Sequence, residues 1–271
     1  MHTEFVNFRS SRVHYRRWGT GDQLLFCFHG YGESADTFAF LEAAIGGDFT
    51  ILAPDMPFHG QTEWKEGCRL EPEDLLHMLG EMAAGLPGIG GRWWLMGYSM
   101  GGRVALSLLE KVPAKIGKLI LLAPDGLRLN PWYWLATQTW AGNHFFRWTM
   151  RHPGWFFSFL RIGDKWGLVN QSVYKFTVHY IGNEAARQEL YTRWTTLRGF
   201  RPGRRVIRAI IRQQEIPVRL LFGRYDRIIR WESGERFRQA VGPWCRLVTL
   251  PMGHHLLQPG NGEAILALLK E

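Results

Sequence analysis

Short, almost wholly apolar runs recur along the chain, separated by longer stretches in which apolar side chains return every three to four positions. The runs are Leu24–Phe28, Phe49–Ala53, Trp93–Met96, Lys118–Ala123, Val218–Phe222 and Arg246–Leu250. A strand covered on both faces needs apolar side chains at nearly every position, not at every second one. These runs are therefore read as strands of a mostly parallel sheet. The stretches Pro72–Ala84, Gly102–Lys111, Glu232–Ala240 and Gly262–Lys270 have helical spacing and supply the crossovers that parallel strands require. The chain opens differently. Glu4–Phe8 and Val13–Trp18, parted by Ser10-Ser11, read as an antiparallel hairpin at the sheet edge.

The alternation stops between Ala123 and Val218. Residues Asn130 to Arg205 read as several short helices, broken by His152-Pro153-Gly154, Gly163 and Gly199–Gly203. The expected organisation is an α/β core formed by residues 1–129 and 206–271. A helical lid of residues 130–205 is inserted after the sixth strand. It is expected at the carboxyl edge of the sheet, where open α/β sheets bind ligands.

Composition changes the picture of the insertion more than that of the core. The net charge is +9, yet Gly126 to Glu215 holds 14 basic and 4 acidic residues, leaving 19 basic and 20 acidic elsewhere. The same stretch holds 7 of the 13 tryptophans. Aromatic side chains crowd Trp132 to Phe159, where they either wall an apolar pocket or pack the lid helices onto the body. The interleaved Arg147, Arg151, Arg161 and Lys165 face water, an acidic substrate or, through weak contact, an anionic membrane surface. No nucleic-acid module is visible. With 271 residues, 46% of them hydrophobic, the chain can bury a sizeable core and does not read as disordered. No run of 18 apolar residues suggests a membrane span, and the start lacks the apolar stretch of a signal peptide. Cys27, Cys68 and Cys245 are few and widely spaced, which suggests a reducing, cytoplasmic setting without disulfides or a cysteine metal site.

The strongest chemical signal is Gly97-Tyr98-Ser99-Met100-Gly101. It follows the apolar strand at Trp93 and precedes the helical stretch at Gly102. A serine on a sharp strand-to-helix turn exposes its hydroxyl, and the helix N-terminus offers N–H groups to a developing oxyanion. A hydroxyl needs a base to become a nucleophile, and the base needs a carboxylate to orient it. Asp226 and His254 each follow an apolar strand, so parallel strands would bring both beside Ser99. Asp125 also follows a strand, and His255 adjoins His254, so each is a rival. His29 and His59 read as loop-bonding histidines and Asp55 as a turn residue. Gly30-x-Gly32-x-x-Ala35 has dinucleotide-fingerprint spacing but explains neither Ser99 nor His254.

With these motifs in this order, the chain resembles the α/β-hydrolase superfamily over nearly all its length outside the lid. Phe28-His29-Gly30-Tyr31-Gly32 resembles that family's oxyanion loop. Asp55-Met56-Pro57-Phe58-His59-Gly60 resembles its D-x-P-G-H-G turn, with Phe58 where glycine is usual. The resemblance implies the α/β-hydrolase fold, with Ser99 as nucleophile, His254 as base and Asp226 as the orienting acid. It also implies an oxyanion hole made by the backbone N–H groups of Tyr31 and Met100. No cofactor or metal is implied. The expected activity is cleavage of a carboxylic ester or related acyl bond in a small molecule. Gly97–Arg103 also resembles the elbow of the family's menaquinone-pathway synthase, a lyase that eliminates pyruvate. C–C bond hydrolysis by the same residues, and a binding protein with a vestigial triad, are the remaining readings. Serine at position 99 argues against a dehalogenase, whose nucleophile is aspartate.

Overall fold

The computed structural model describes residues 2–84, 86, 91–128, 130–165 and 182–270. Eight strands form one sheet: β1 (His2–Phe8), β2 (Ser11–Trp18), β3 (Gln23–Phe28), β4 (Phe49–Pro54), β5 (Trp93–Tyr98), β6 (Ile116–Leu122), β7 (Val218–Gly223) and β8 (Cys245–Leu250). Their order is β1-β2-β4-β3-β5-β6-β7-β8. The six apolar runs are β3 to β8, with ends shifted by one or two residues. β1 and β2 form the expected hairpin, which pairs antiparallel with β4; every other neighbour is parallel.

Burial follows position in the sheet. All of β4 is buried, and β3, β6 and β7 nearly so, while the edge strand β8 is half-buried along most of its length. This is why the central strands are continuous apolar runs. Lys118 is the exception within β6. Its buried ammonium donates to the Leu269 carbonyl oxygen at 2.8 Å and lies 4.4 Å from the centre of the Trp94 ring. A buried cation needs such partners, and here they tie the final helix, Gly262–Lys270, to the sheet.

The helix Met100–Lys111 begins two residues before the apolar spacing predicts, and every residue from Met100 to Leu109 is buried. A helix covered on all sides must approach its neighbours closely. At Gly101 a Cβ would collide with the Phe28 carbonyl oxygen at the end of β3, and at Gly97 with the Gly101 carbonyl oxygen. Gly101→Ala is therefore expected to destabilise the fold by about 1–3 kcal/mol or more, because a backbone carbonyl cannot turn aside. Chemical denaturation of the two proteins measures this, and an unchanged midpoint would contradict the packing described.

The chain divides into two compact units. The first comprises Met1–Glu66, Glu71–Arg128 and Gly199–Glu271; the second comprises Gly67–Leu70 and Leu129–Arg198. Residues 199–205, read from sequence as the end of the insertion, thus fall in the first unit. There the Gly203 N–H donates to the Glu110 carboxylate at 2.6 Å. Gly67–Leu70 joins the second unit, where the Leu70 N–H donates to the Thr196 carbonyl oxygen at 3.1 Å.

The second unit is helical, with helices Pro131–Gln138, Trp140–Arg151, Gly154–Lys165 and Glu184–Thr196. Asn130, Thr139 and Asn183 cap three of them through side-chain oxygens. A half-buried aromatic group links three of the helices: the Phe146 ring lies 5.7 Å from Trp194 and 5.5 Å from Tyr191, with Tyr133 5.2 Å from Trp194. Among the described residues no helix is long and apolar enough to cross a membrane. Lys165 ends a described helix, but its side chain lies outside the described residues, as does Trp166.

Candidate active site

The site is built at the carboxyl ends of β5, β7 and β8, all in the first unit. Ser99 follows β5 and adopts φ 49°, ψ −113°. Positive φ is costly for a residue with a Cβ, so the surroundings must hold it. The Ser99 N–H donates to the Leu122 carbonyl oxygen at 2.9 Å, and the Ser99 carbonyl oxygen accepts from the N–H groups of Asp125 (2.8 Å) and Gly102 (3.0 Å). Although Ser99 occupies the N-cap position, its side chain does not cap the helix. Its Oγ lies 3.0 Å from His254 Nε2 instead.

His254 Nδ1 lies 2.7 Å from Asp226 Oδ2. The other carboxylate oxygen of Asp226 accepts from the N–H groups of Ile228 (2.7 Å) and Ile229 (2.9 Å). The Asp226 side chain is fully buried and that of His254 is 13% exposed, so one end of the relay is dry and the other opens outward. The loops carrying both residues are tied together. The Arg224 N–H donates to the Leu250 carbonyl oxygen at 2.7 Å and the Tyr225 N–H to that of Met252 at 2.9 Å.

Two residues join this arrangement that no sequence motif marks. The Tyr98 hydroxyl donates to the His254 carbonyl oxygen at 3.0 Å, anchoring the backbone of the histidine loop. The half-buried Glu33 carboxylate accepts from the Gly30 N–H at 3.0 Å, bracing the loop after β3. Burial raises the Glu33 carboxyl above its ordinary value; the Gly30 N–H and the nearby His254 partly offset this. A carboxyl whose pKa is raised by folding favours the folded state at low pH and loses that contribution as pH rises through its folded pKa. Glu33→Gln has no such charge to bury. It is therefore expected to gain stability relative to the wild type between pH 4 and pH 8. Denaturant midpoints at the two pH values give the sign, and a relative loss would refute the burial argument.

Met100 is the first residue of its helix, so its N–H has no intrahelical carbonyl to bond. The close approach of Gly101 to the carbonyl oxygens of Phe28 and His29 sets that helix start against the loop carrying Tyr31. The rivals fall elsewhere. His255 is exposed, and its ring centroid is 6.5 Å from that of His254. Asp125 Oδ2 lies 3.5 Å from Arg103 Nε, and its Oδ1 accepts from the Gly126 N–H at 2.8 Å.

The remaining motif residues organise the loops. His29 Nε2 accepts from the Met56 N–H at 3.0 Å, so Nδ1 carries the proton and donates to the Gly30 carbonyl oxygen at 2.7 Å. His59 Nδ1 lies 2.9 Å from the Pro57 carbonyl oxygen. The Asp55 carboxylate is shared by His14 Nδ1 (2.6 Å), the Ala35 N–H (2.6 Å) and the Gln61 N–H (2.8 Å). A carboxylate so occupied is not offered to a ribose, and the segment after Gly32 forms a 3₁₀ helix, Ala35–Leu41. Phe58 takes φ 62°, the left-handed region that glycine ordinarily fills. The loop therefore keeps its turn with a side chain in place, and the His59 N–H still reaches the Met56 carbonyl oxygen at 3.0 Å. Among the described residues no group of three or more His, Cys, Asp or Glu is placed to hold a metal ion. Burial raises the Cys27 thiol, and pushes that of Cys245 up to about 12, so neither supplies a thiolate near neutral pH.

Residues 24–268 match the model of the alpha/beta hydrolase family. An esterase of Mycobacterium tuberculosis is 31% identical over 110 residues, covering 39% of this chain and 34% of that protein. The chain spans about a third of the length of the curated relatives it matches at 31% identity. An uncharacterized hydrolase of Bacillus subtilis is 23% identical over 264 residues, covering 93% of this chain and 91% of that one. The solved structure of a hydrolase from Pseudomonas aeruginosa shares the fold, with a TM-score of 0.67 at 21% identity over 99% of this chain and 98% of its own.

Proposed function

The chain belongs to the alpha/beta hydrolase family, and on that premise we propose that it is a serine hydrolase acting on a carboxylic ester or related acyl bond. The substrate is a small to medium, partly apolar molecule. The observation that carries this reading is the continuous relay from Ser99 Oγ through His254 to Asp226, at 3.0 Å and 2.7 Å. Such a chain of hydrogen bonds serves to remove a proton from a hydroxyl as it attacks. That an M. tuberculosis relative is an esterase supports the same class.

Ser99 Oγ attacks the carbonyl carbon while His254 Nε2 takes its proton. Asp226 holds the proton on Nδ1 and stabilises the imidazolium that forms. The carbonyl oxygen becomes an oxyanion and accepts from the Tyr31 and Met100 N–H groups. Collapse of the tetrahedral intermediate breaks the bond to the leaving oxygen, which takes the proton from His254. Water then enters, gives a proton to His254 and attacks the acyl-serine. A second collapse releases the acid and returns the proton to Ser99.

A series of p-nitrophenyl esters from acetate to palmitate, assayed with wild type and Ser99→Ala, tests the reading. Turnover that depends on Ser99 is expected, with a preferred chain length. No turnover on any ester, with pyruvate released from a menaquinone-pathway intermediate, would overturn it in favour of lyase chemistry.

A further inference from the structure

The described residues expose twelve large apolar side chains, and nine of them lie between Trp132 and Ile162 in the second unit. Two consecutive helices carry the densest group. On Trp140–Arg151, Phe145 and Trp148 stand one turn apart with ring centroids separated by 5.9 Å. On Gly154–Lys165, Trp155 lies 5.3 Å from Phe145 and 6.1 Å from Trp148. Rings from two helices thus make one cluster. Phe159 and Ile162 continue it, since positions four and seven residues after Trp155 share its helix face. Exposure is 48% for Trp148, 40% for Trp155 and 66% for Phe159. Scattered exposed hydrophobics are ordinary, but a contiguous patch marks a surface that something covers.

Charge says what covers it. Arg147, Arg151 and Arg161 on the same two helices are exposed, and these helices carry a single acidic residue, Asp164. An acidic partner surface is therefore favoured. Indole rings are at home at the boundary between headgroups and acyl chains, and guanidinium groups pair with lipid phosphates while their stems lie along apolar surface. The two helices are 12 residues each, too short to span a bilayer but suited to lying along its surface. We propose that this face of the second unit docks the protein on an anionic membrane surface.

The test is binding of the full chain to vesicles of phosphatidylcholine alone and of phosphatidylcholine mixed with phosphatidylglycerol. Binding to the mixed vesicles is expected, weakening as salt is raised. Each Arg→Gln change among the three arginines is expected to weaken it about fivefold, the equivalent of ~1 kcal/mol per cation at such a surface. The triple Arg→Lys variant is expected to retain most of it. Brominated lipid is expected to quench tryptophan fluorescence, and Trp148→Ala/Trp155→Ala is expected to reduce both quenching and binding. Melting curves establish that the variants are folded, and the arginine variants keep the aromatic cluster intact should the double alanine fail to fold. Four results would overturn the proposal. They are no binding, equal binding to both vesicles, binding untouched by the variants, or a dimer in solution that Trp155→Ala dissociates. Capture by heparin or RNA without quenching by lipid would overturn it as well.

Discussion

Ser99→Ala is expected to lower kcat on an activated ester by about 10⁴- to 10⁶-fold while leaving KM within a few-fold. In the proposed mechanism the hydroxyl takes part in bond making, so its loss would remove the covalent route and leave only what the oxyanion donors and substrate binding can do unaided. The fold should tolerate the change. Ser99 Oγ is bonded to His254 Nε2 and does not cap the helix beneath it, and alanine meets the same positive φ as serine. Ser99→Gly separates the two aspects of the position. Glycine adopts φ 49° without a Cβ penalty, so this variant should be equally inactive yet no less stable, and up to about 1–2 kcal/mol more stable. Steady-state kinetics and denaturation of all three proteins measure both halves. Activity within tenfold of wild type in folded Ser99→Ala would remove Ser99 from the mechanism.

Asp226→Asn is expected to cost about 10⁴-fold in kcat through the tautomer of His254. The Ile228 and Ile229 N–H groups require an acceptor at one end of the side chain. An asparagine oxygen meets that need, which turns the amide NH₂ toward His254 Nδ1. The imidazole must then accept at Nδ1 and carry its proton on Nε2, the nitrogen that should receive the proton of Ser99. Position and shape are kept, so the loss reports the proton and not the packing. Asp125→Asn is the control, since that carboxylate faces Arg103 and the Gly126 N–H. It should stay within a few-fold of wild type. Similar losses in both variants, or a larger one in Asp125→Asn, would mean that Asp226 is not the orienting acid.

The apolar runs named the strands because parallel strands buried on both faces leave little choice of residue. The serine turn was legible for a related reason. Backbone crowding at Gly97 and Gly101 restricts those positions to glycine, which writes the local geometry into the sequence. Tyr98 and Glu33 were not legible. The Tyr98 hydroxyl meets a carbonyl oxygen 156 positions away, and the Glu33 carboxylate folds back onto its own loop, so neither bond leaves a periodic trace. The aromatic run after Trp132 was visible, but its division was not. Tyr133, Phe146 and Trp194 are half-buried against one another, while Trp148 and Trp155 are exposed. Helical spacing places side chains on faces without saying which face meets another element. Residues 199–205 group with the first unit through contacts such as the bond from Gly203 to Glu110, which joins segments far apart in sequence and leaves no local trace.

The proposed mechanism requires that His254 activate Ser99 as a nucleophile toward an acyl centre. Reaction of the protein with a fluorophosphonate, followed by peptide mass mapping, probes this step alone, because the reagent marks an activated serine whatever the natural substrate. One adduct is expected, on Ser99, absent from His254→Ala and from Asp226→Asn at short times. An adduct on another serine, or one on Ser99 that forms equally fast without His254, would contradict it.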